Sequence, residues 1–533
     1  MTGNKAFSKV HIFIFLILFV MISLTGCRQE DKYISFLRYG LAEAPASLDP
    51  ALVQDAAGRQ LLGAVYEGLL RQKPDGTYEA AMAGEWSMEE AGLKYIFKIR
   101  DAVWSDGSPV TAQDFVFAWK RALDPQNRSP YAYLLYDIKN AEGYHRAGTK
   151  DYYGAAATAD EVSVYAPDEA TLVVELRQPD TAFFKKLVHP VFFPLPQGLV
   201  QELGKAYFAV ENMAANGPFI PAEQSPEGAL VLNKNIAYWD AENVSLPGIV
   251  CYFDNEKQDT WRMFEEGRLD LTLTVPQAEL EEQQKENRLF VSPLLANYYY
   301  QFNTAKTPLQ DKRVRQALSL ALDRKQMVEE ILRGAQRPAQ GLIPHFAAEN
   351  PAPDNNPAEA QRLLAEAGFT AESFPALELL VAAEESHLYL AEYLKNQWQE
   401  KLGITVNITP LDPEARRMRL LARDYDLALA GWFVDYDEKA EFLESFVFRL
   451  GQNTSGWSNA HYDALVKAAR TSLTEEERLT ALQQAEIILM ADLPVLPLYD
   501  YTRAYVQQGR VEGFYVPPAG LEAEFKWVRI KTL

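Results

Sequence analysis

Apolar and polar residues alternate along Tyr95-Ile96-Phe97-Lys98-Ile99-Arg100, Thr171-Leu172-Val173-Val174-Glu175-Leu176 and Ala229-Leu230-Val231-Leu232, each stretch bounded by Gly, Pro or Asp. A period of two between such boundaries predicts strands, so the first half of the chain is expected to build sheets. Beyond residue 310 the period lengthens. Asp311 is placed to cap a helix whose Val314, Ala317, Leu318, Ala321, Val328, Ile331 and Leu332 share one face, with Gly334 ending it. A second helix is expected from Ser386 to Leu402, stopping at Gly403 before the strand Ile404-Thr405-Val406-Asn407-Ile408. Thr474 and Glu477 form a capping-box pattern ahead of Leu479, Leu482, Ile488 and Leu489, and Pro494 closes that helix. Helix and strand alternating from about 310 to 500 predict an α/β lobe with a partly parallel sheet. The segment from Asn350 to Pro357 reads as a loop within it.

The N-terminus has a different pattern. Lys5 and Lys9 precede an uncharged apolar run from Ile12 to Leu24, too short to cross a membrane, and Leu24-Thr25-Gly26-Cys27 follows. This is the layout of a secretory signal over residues 1–26. It resembles a bacterial lipobox, which implies that Cys27 is acylated and anchors the mature chain to the membrane face through a tether at 27–32. Without residues 1–26, two of the 52 basic residues are lost and none of the 73 acidic ones, so the net charge becomes -23. Such a chain is not a nucleic-acid binder. The remaining 507 residues exceed one hydrophobic core and predict roughly three lobes. Cys251 is the one cysteine left after the anchor, so no internal disulfide is expected.

One carboxylate stands out against this background. The run Tyr425-Asp426-Leu427-Ala428-Leu429-Ala430 leads into Gly431-Trp432-Phe433-Val434-Asp435-Tyr436-Asp437-Glu438, which sets Asp435 in an apolar, aromatic strand. Desolvating an unpaired carboxylate is costly. Asp435 must face solvent at a strand end, shift its pKa, meet an internal base, or await a positively charged ligand. Enzyme chemistry finds little support. Gly456-Trp457-Ser458-Asn459-Ala460 faintly resembles a nucleophile elbow, but His461 is the one later His, with no acid between it and the Ser. Asp435 with Asp437 is a weak carboxylate pair for sugar hydrolysis. The six His have no metal-ligand spacing, and neither a P-loop nor a dinucleotide fingerprint occurs. No metal and no cofactor are expected.

Seven segments in order carry a family resemblance: Pro45-Ala46-Ser47-Leu48-Asp49-Pro50, Tyr66-Glu67-Gly68-Leu69-Leu70, Val103 to Phe115, Asn216-Gly217-Pro218-Phe219, Asn235 to Asp240, Asp311 to Leu318, and Gly431 to Tyr436. Together they resemble the extracellular oligopeptide-binding proteins of ABC importers, the peptide and nickel cluster of solute-binding proteins, over nearly all of the mature chain. Several read as scaffold on physical grounds: Trp104 to Gly107 as a turn before a helix capped by Thr111, Asn216 to Phe219 as a turn before a strand, and Tyr238-Trp239-Asp240 as a core anchor.

The resemblance implies a periplasmic-binding-protein-like type II α/β fold, with two ligand-clasping lobes and an accessory third. Lobe I would comprise 33–54, 188–293 and 495–533, lobe II 55–187, and lobe III 294–494, with hinges near 294 and 495. It implies a peptide added as a strand between Ala42-Glu43-Ala44 and Gly431-Trp432-Phe433, its α-ammonium on Asp435 and a side chain against Trp432. Along Tyr298-Tyr299-Tyr300, a period of two would place Tyr298 and Tyr300 on one side and Tyr299 on the other, with one set facing the ligand. His387 and Arg423 are candidates for the peptide's carboxylate end. The chain also departs from well-studied members. Ala296 and Phe433 stand where some carry a disulfide, Pro413 where many have an aromatic wall, and Leu429 where a basic residue precedes the Gly-Trp pair. The implied function is that of a monomeric, extracytoplasmic, lipid-anchored receptor that binds short peptides and serves a membrane permease and its ATPases. Other ligands on the same scaffold are a nickel chelate, an oligosaccharide or a signalling peptide. A purely adhesive lipoprotein and, remotely, a hydrolase complete the alternatives.

Overall fold

The computed structural model describes residues 33, 35–149, 152–180, 182–224, 228–254, 259–333, 335–345, 351–447, 453–472 and 474–531. The signal segment, the tether, the expected anchor Cys27 and the helix stop Gly334 lie outside them.

In chain order, β1 (Leu37–Leu41) is followed by four strands of a separate antiparallel sheet, β2 (Ala83–Glu89), β3 (Lys94–Ile99), β4 (Val164–Asp168) and β5 (Thr171–Glu175). The chain then forms β6 (Phe219–Gln224), β7 (Leu230–Lys234), β8 (Gly248–Phe253), β9 (Leu271–Thr272) and the long β10 (Leu289–Phe302). Next come β11 (Leu377–Ala382), β12 (Val406–Leu411), β13 (Leu427–Phe433) and the long β14 (Val495–Gln507). One mixed sheet runs β12-β11-β13-β10-β14-β9-β1-β8-β7-β6, and Arg337–Pro338 pairs with β14 to complete its 11 strands. The smaller sheet has the order β2-β3-β5-β4.

The expected strands at 95–100, 171–176 and 229–232 fall within one residue or two of β3, β5 and β7. Parallel pairing is confined to β1 with β8 and β9, and to β11 with β12 and β13. Helix-to-strand crossovers in the second half supply that arrangement, as the alternating pattern predicts. The long strands β10 and β14 pair antiparallel and tie the halves together, with register shifts at Pro293/Asn297 and Tyr298/Tyr299.

Among the helices used below, α1 is Ala112–Leu123, α2 Lys312–Leu320, α3 Arg324–Glu330, α4 Glu385–Leu402, α5 Pro413–Leu421, α6 Ala460–Thr471 and α7 Glu475–Asp492. The single helix expected from Asp311 to Gly334 is two. Asp311 caps α2 by accepting from the Arg313 N–H, but Asp323 caps afresh, accepting from Gln326 at 2.8 Å. An Asp side chain that bonds the backbone ahead of it starts a helix rather than continuing one. Helix α4 ends as expected at Gly403, whose φ of +70° suits glycine. Thr474 accepts from Glu477 N–H to start α7, and Leu493 rather than Pro494 makes its last, left-handed cap.

Most of the family segments prove to be scaffold. Asn216 accepts from the Glu67 N–H at 3.0 Å and donates to the Glu67 carbonyl at 2.9 Å. Tyr238 and Trp239 both donate to the Glu67 carboxylate, and Arg71 bridges Glu67 to Glu524. Three distant segments therefore meet on one buried acid. Arg121 of α1 holds Asp49, and Arg315 donates to the carbonyls of Leu309, Asp492 and Leu493, closing the C-terminal end of α7. Three large hydrophobic clusters and two small ones result. The first unites the two sheets at the N-terminal end, the second packs α2 to α4 against one face of β10 and β13, and the third packs α6 and α7 against the other face.

The Thr111 cap is a capping box closed by Asp114. Asp114 is buried and accepts from Thr111 N at 2.9 Å, Gln197 N at 3.1 Å and Trp104 Nε1 at 3.3 Å. Asp114→Ala strands one buried and two partly buried donors, so it is expected to cost about 2–4 kcal/mol in urea unfolding followed by tryptophan fluorescence. A loss below about 0.5 kcal/mol would show that water satisfies those donors.

Candidate functional site

Strand β13 is covered unequally on its two edges. One edge pairs with β10 from Phe302↔Leu427 to Ala296↔Phe433, whereas on the other β11 contributes only Leu379↔Leu427 and Leu380↔Ala428. From Leu429 to Phe433 that second edge has no strand partner among the described residues. The Trp432 N–H points to β10, where the Asn297 side chain accepts it at 3.0 Å, and Val434 N–H reaches the Leu295 carbonyl. Alternation along the strand therefore turns the backbone groups of Gly431 and Phe433 outward. The Leu429 carbonyl, two residues back, likewise faces out and accepts from Arg416.

Cavities open along this edge. One of about 760 Å³ is lined by Tyr298, Tyr299, His387, Pro413, Arg416 and the run from Leu429 to Phe433, among others. A second, about 540 Å³, takes Trp432, Phe433, Asp435, Glu441, Tyr133 and Lys186 into its lining. A third, about 310 Å³, joins Phe433 and Asp435 to Arg59 and the 516–522 turn. Phe433 lines all three and is 59% exposed, so they are sections of one cleft.

Asp435 is half-buried just beyond β13. The Tyr133 hydroxyl, carried by the 55–187 segment, donates to its Oδ2. Arg59 lies near enough to favour the charged form, yet its guanidinium is engaged with Glu522 and the Gln54 carbonyl. No basic side chain among the described residues forms an ion pair with Asp435. Burial raises its pKa above the ordinary carboxylate value, opposed by the Tyr133 hydrogen bond and then the Arg59 charge. Of the possibilities open to this carboxylate in the sequence, its partial burial argues against full solvation, and no ion pair among the described residues neutralises it.

The remaining expected residues are distributed as follows. Trp432 walls two of the cavities and donates its indole N–H to Glu441 at 3.4 Å. Tyr298 and Tyr300 share a face, their ring centroids 6.1 Å apart, and Tyr299 turns to Phe446 on the other. Tyr300 is fully buried in the core and is absent from the lining, whereas Tyr299 contributes to it. His387 hydrogen-bonds Tyr298 at 2.9 Å, and burial lowers its pKa, so it is neutral at pH 7.

Arg423 is not in the cleft. It sits exposed at the turn before β13, with a positive φ of 53°, and donates to the Asn453 carbonyl. The cation that reaches the open β13 edge is instead Arg416. It lies on α5, where Asp412 is the cap and Pro413 the first residue, a start signal legible in the sequence. Its Nε is buried without a partner, and no carboxylate among the described residues pairs with it. Ala42, Glu43 and Ala44 lie exposed at the end of β1 and line none of the three cavities. Ala296 and Phe433 are direct register partners, with Phe433 against Tyr501 at 4.7 Å. Among the described residues no group of His, Cys, Asp and Glu could hold a metal ion, and no helix is long and apolar enough to cross a membrane.

A cleft bordered by one open strand edge, with a desolvated acid and an unpaired base along it, on a periplasmic-binding-protein-like α/β fold, defines a solute-binding protein. The chain belongs to family 5 of the bacterial extracellular solute-binding proteins, whose family model matches residues 77–454. Members are extracytoplasmic binding proteins rather than enzymes. The oligopeptide-binding protein OppA of Bacillus subtilis is 31% identical over 511 residues, covering 92% of each chain. Among solved structures, the unliganded open form of the murein tripeptide-binding protein MppA superposes with a TM-score of 0.84 at 29% identity, covering 93% of this chain and 97% of that one. Another structure of the Escherichia coli murein tripeptide-binding protein MppA, also 29% identical and covering 93% of this chain and 98% of that one, scores 0.70.

A folded-state pKa above the unfolded one means that the protonated acid favours the fold and that this advantage fades as pH rises through the folded value. Asp435→Asn, neutral throughout, is therefore expected to raise the ligand-free unfolding midpoint at pH 7 by about 1–2 °C, a gain that vanishes towards acid pH. Differential scanning fluorimetry across that range reads it, and a lower midpoint at pH 7 would mean the carboxylate is favourably paired.

Proposed function

We propose that this chain is a lipid-anchored receptor that captures short peptides in extended form and presents them to a membrane permease driven by its ATPases. Cys27 is the proposed anchor and the receptor acts as a monomer. Lobe I (33–54, 188–293, 495–533) and lobe III (294–494) clasp the ligand, and lobe II (55–187) supplies Tyr133 from outside. Closure turns on the crossings near 294 and 495, where β10 and β14 pass between lobes and the β10 register shifts at Pro293/Asn297.

The observation that carries this reading is the opposite charge at the two ends of the open β13 edge. Asp435 meets the α-ammonium and Arg416 meets the α-carboxylate, replacing the expected Arg423 and the neutral His387. Between them the outward N–H and C=O groups of Gly431 and Phe433 bond the ligand's backbone, which every peptide shares. Closure would bring Ala42-Glu43-Ala44 to its other edge. Leu429 and Asp435 are six residues apart, or roughly 20 Å at strand rise, which suits peptides of about four to five residues. An uncharged oligosaccharide would leave both charges unmatched.

Titration calorimetry with tetra-alanine tests this. Acetylating the amine, or making Asp435→Ala, is expected to cost about 2–5 kcal/mol, and amidating the carboxylate should weaken binding in the unsubstituted protein but not in Arg416→Met. Equal binding of free and acetylated peptides would overturn the assignment.

A further inference from the structure

The 540 Å³ cavity beside Asp435 has a charge inventory that does not close. Each of its cations is already engaged. Lys186 pairs with Asp137 and Asp180, Arg470 with Glu444 at 2.8 Å, and Arg177 with Glu142 at 3.0 Å. Two lining carboxylates remain without an ion-pair partner among the described residues, Asp435 and Glu441. Asp435 is assigned above to the ligand's amine, which leaves Glu441.

Glu441 is held rather than loose. It stands in the first turn of the short helix Ala440–Glu444, accepting from the Trp432 indole N–H at 3.4 Å and from the Tyr436 hydroxyl. Burial raises its pKa to about 7, the Asp435 charge adds to that rise, and Lys186 offsets it only weakly. A carboxylate kept in place by neutral donors, in a walled cavity, is under-compensated. Trp432 and Tyr133 supply flat aromatic walls to the same cavity, which suit the apolar stem and the charged head of a long cationic side chain.

We propose that Glu441 makes this cavity a receiver for a basic first side chain, the Lys or Arg that follows directly on the α-ammonium bound by Asp435. The inference rests on the peptide-binding reading of Asp435. It assigns a preference at one position only, because an extended chain sends its second side chain to the opposite side. Trp432 then has two roles, walling the pocket and orienting the acid that selects its occupant.

Calorimetry on the mature protein with three free tetrapeptides, Lys-Ala-Ala-Ala, norleucine-Ala-Ala-Ala and Ala-Lys-Ala-Ala, tests it, since norleucine keeps the stem of lysine and removes its charge. The lysine-first peptide is expected to bind about tenfold or more tighter than the other two, and Glu441→Gln to bring that ratio below about twofold. Equal binding of all three would overturn this inference and leave the peptide reading standing, as would a ratio that survives Glu441→Gln. Failure of all three to bind would remove the peptide reading and this inference with it.

Discussion

A strand inside a sheet must satisfy two edges, and β13 satisfies only one beyond Ala428. The consequences spread outward from that imbalance. Its covered edge is fixed by β10 in unbroken register, and within that ladder the buried Asn297 side chain holds the Trp432 N–H. The open edge is thereby kept straight and its backbone groups kept facing the cleft. Exposed edges invite pairing with any extended chain, and a cleft alongside limits that pairing to a guest small enough to enter.

Electrostatics follows the same geometry. Asp435 and Arg416 are each left without an opposite charge, whereas other buried ions are closely paired, as at Arg71 with Glu67 and Glu524 or at Lys526 with Asp240. Unpaired desolvated charges destabilise a fold, and it is on their placement at two ends of one edge that the proposed binding role rests. The scaffold ions have the converse role. Glu67 gathers Arg71, Tyr238, Trp239 and Asn216, residues from remote parts of the chain, into one satisfied network.

The departures from well-studied members become intelligible together. With no disulfide between Ala296 and Phe433, the Phe433 ring is free to lie against Tyr501 at the junction of all three cavities. With Leu429 in place of a basic side chain, its carbonyl is met instead by Arg416 from α5. Pro413, which cannot supply an aromatic wall, begins the helix that brings Arg416 in. At Leu429 the positive charge thus comes from a helix beside the strand rather than from the strand.

Local pattern alone determined much of this protein. Period-two runs marked β3, β5 and β7, glycine at 403 stopped α4, Thr111 and Thr474 started their helices, and seven ordered segments pointed to the family. These are short-range effects, settled by neighbouring backbone and by alternation. The apolar run around Asp435 likewise marked a carboxylate in a partly desolvated setting. Tertiary structure decided what spacing could not encode. It decided that Asp323 splits one helix into two, that Tyr299 rather than Tyr300 reaches the cavity, and that Arg423 turns outward while Arg416 turns in. It also decided that Tyr133, some three hundred residues away, donates to Asp435. Each of these depends on which elements come to lie side by side, and a linear pattern records faces and ends but not the neighbours that cover them.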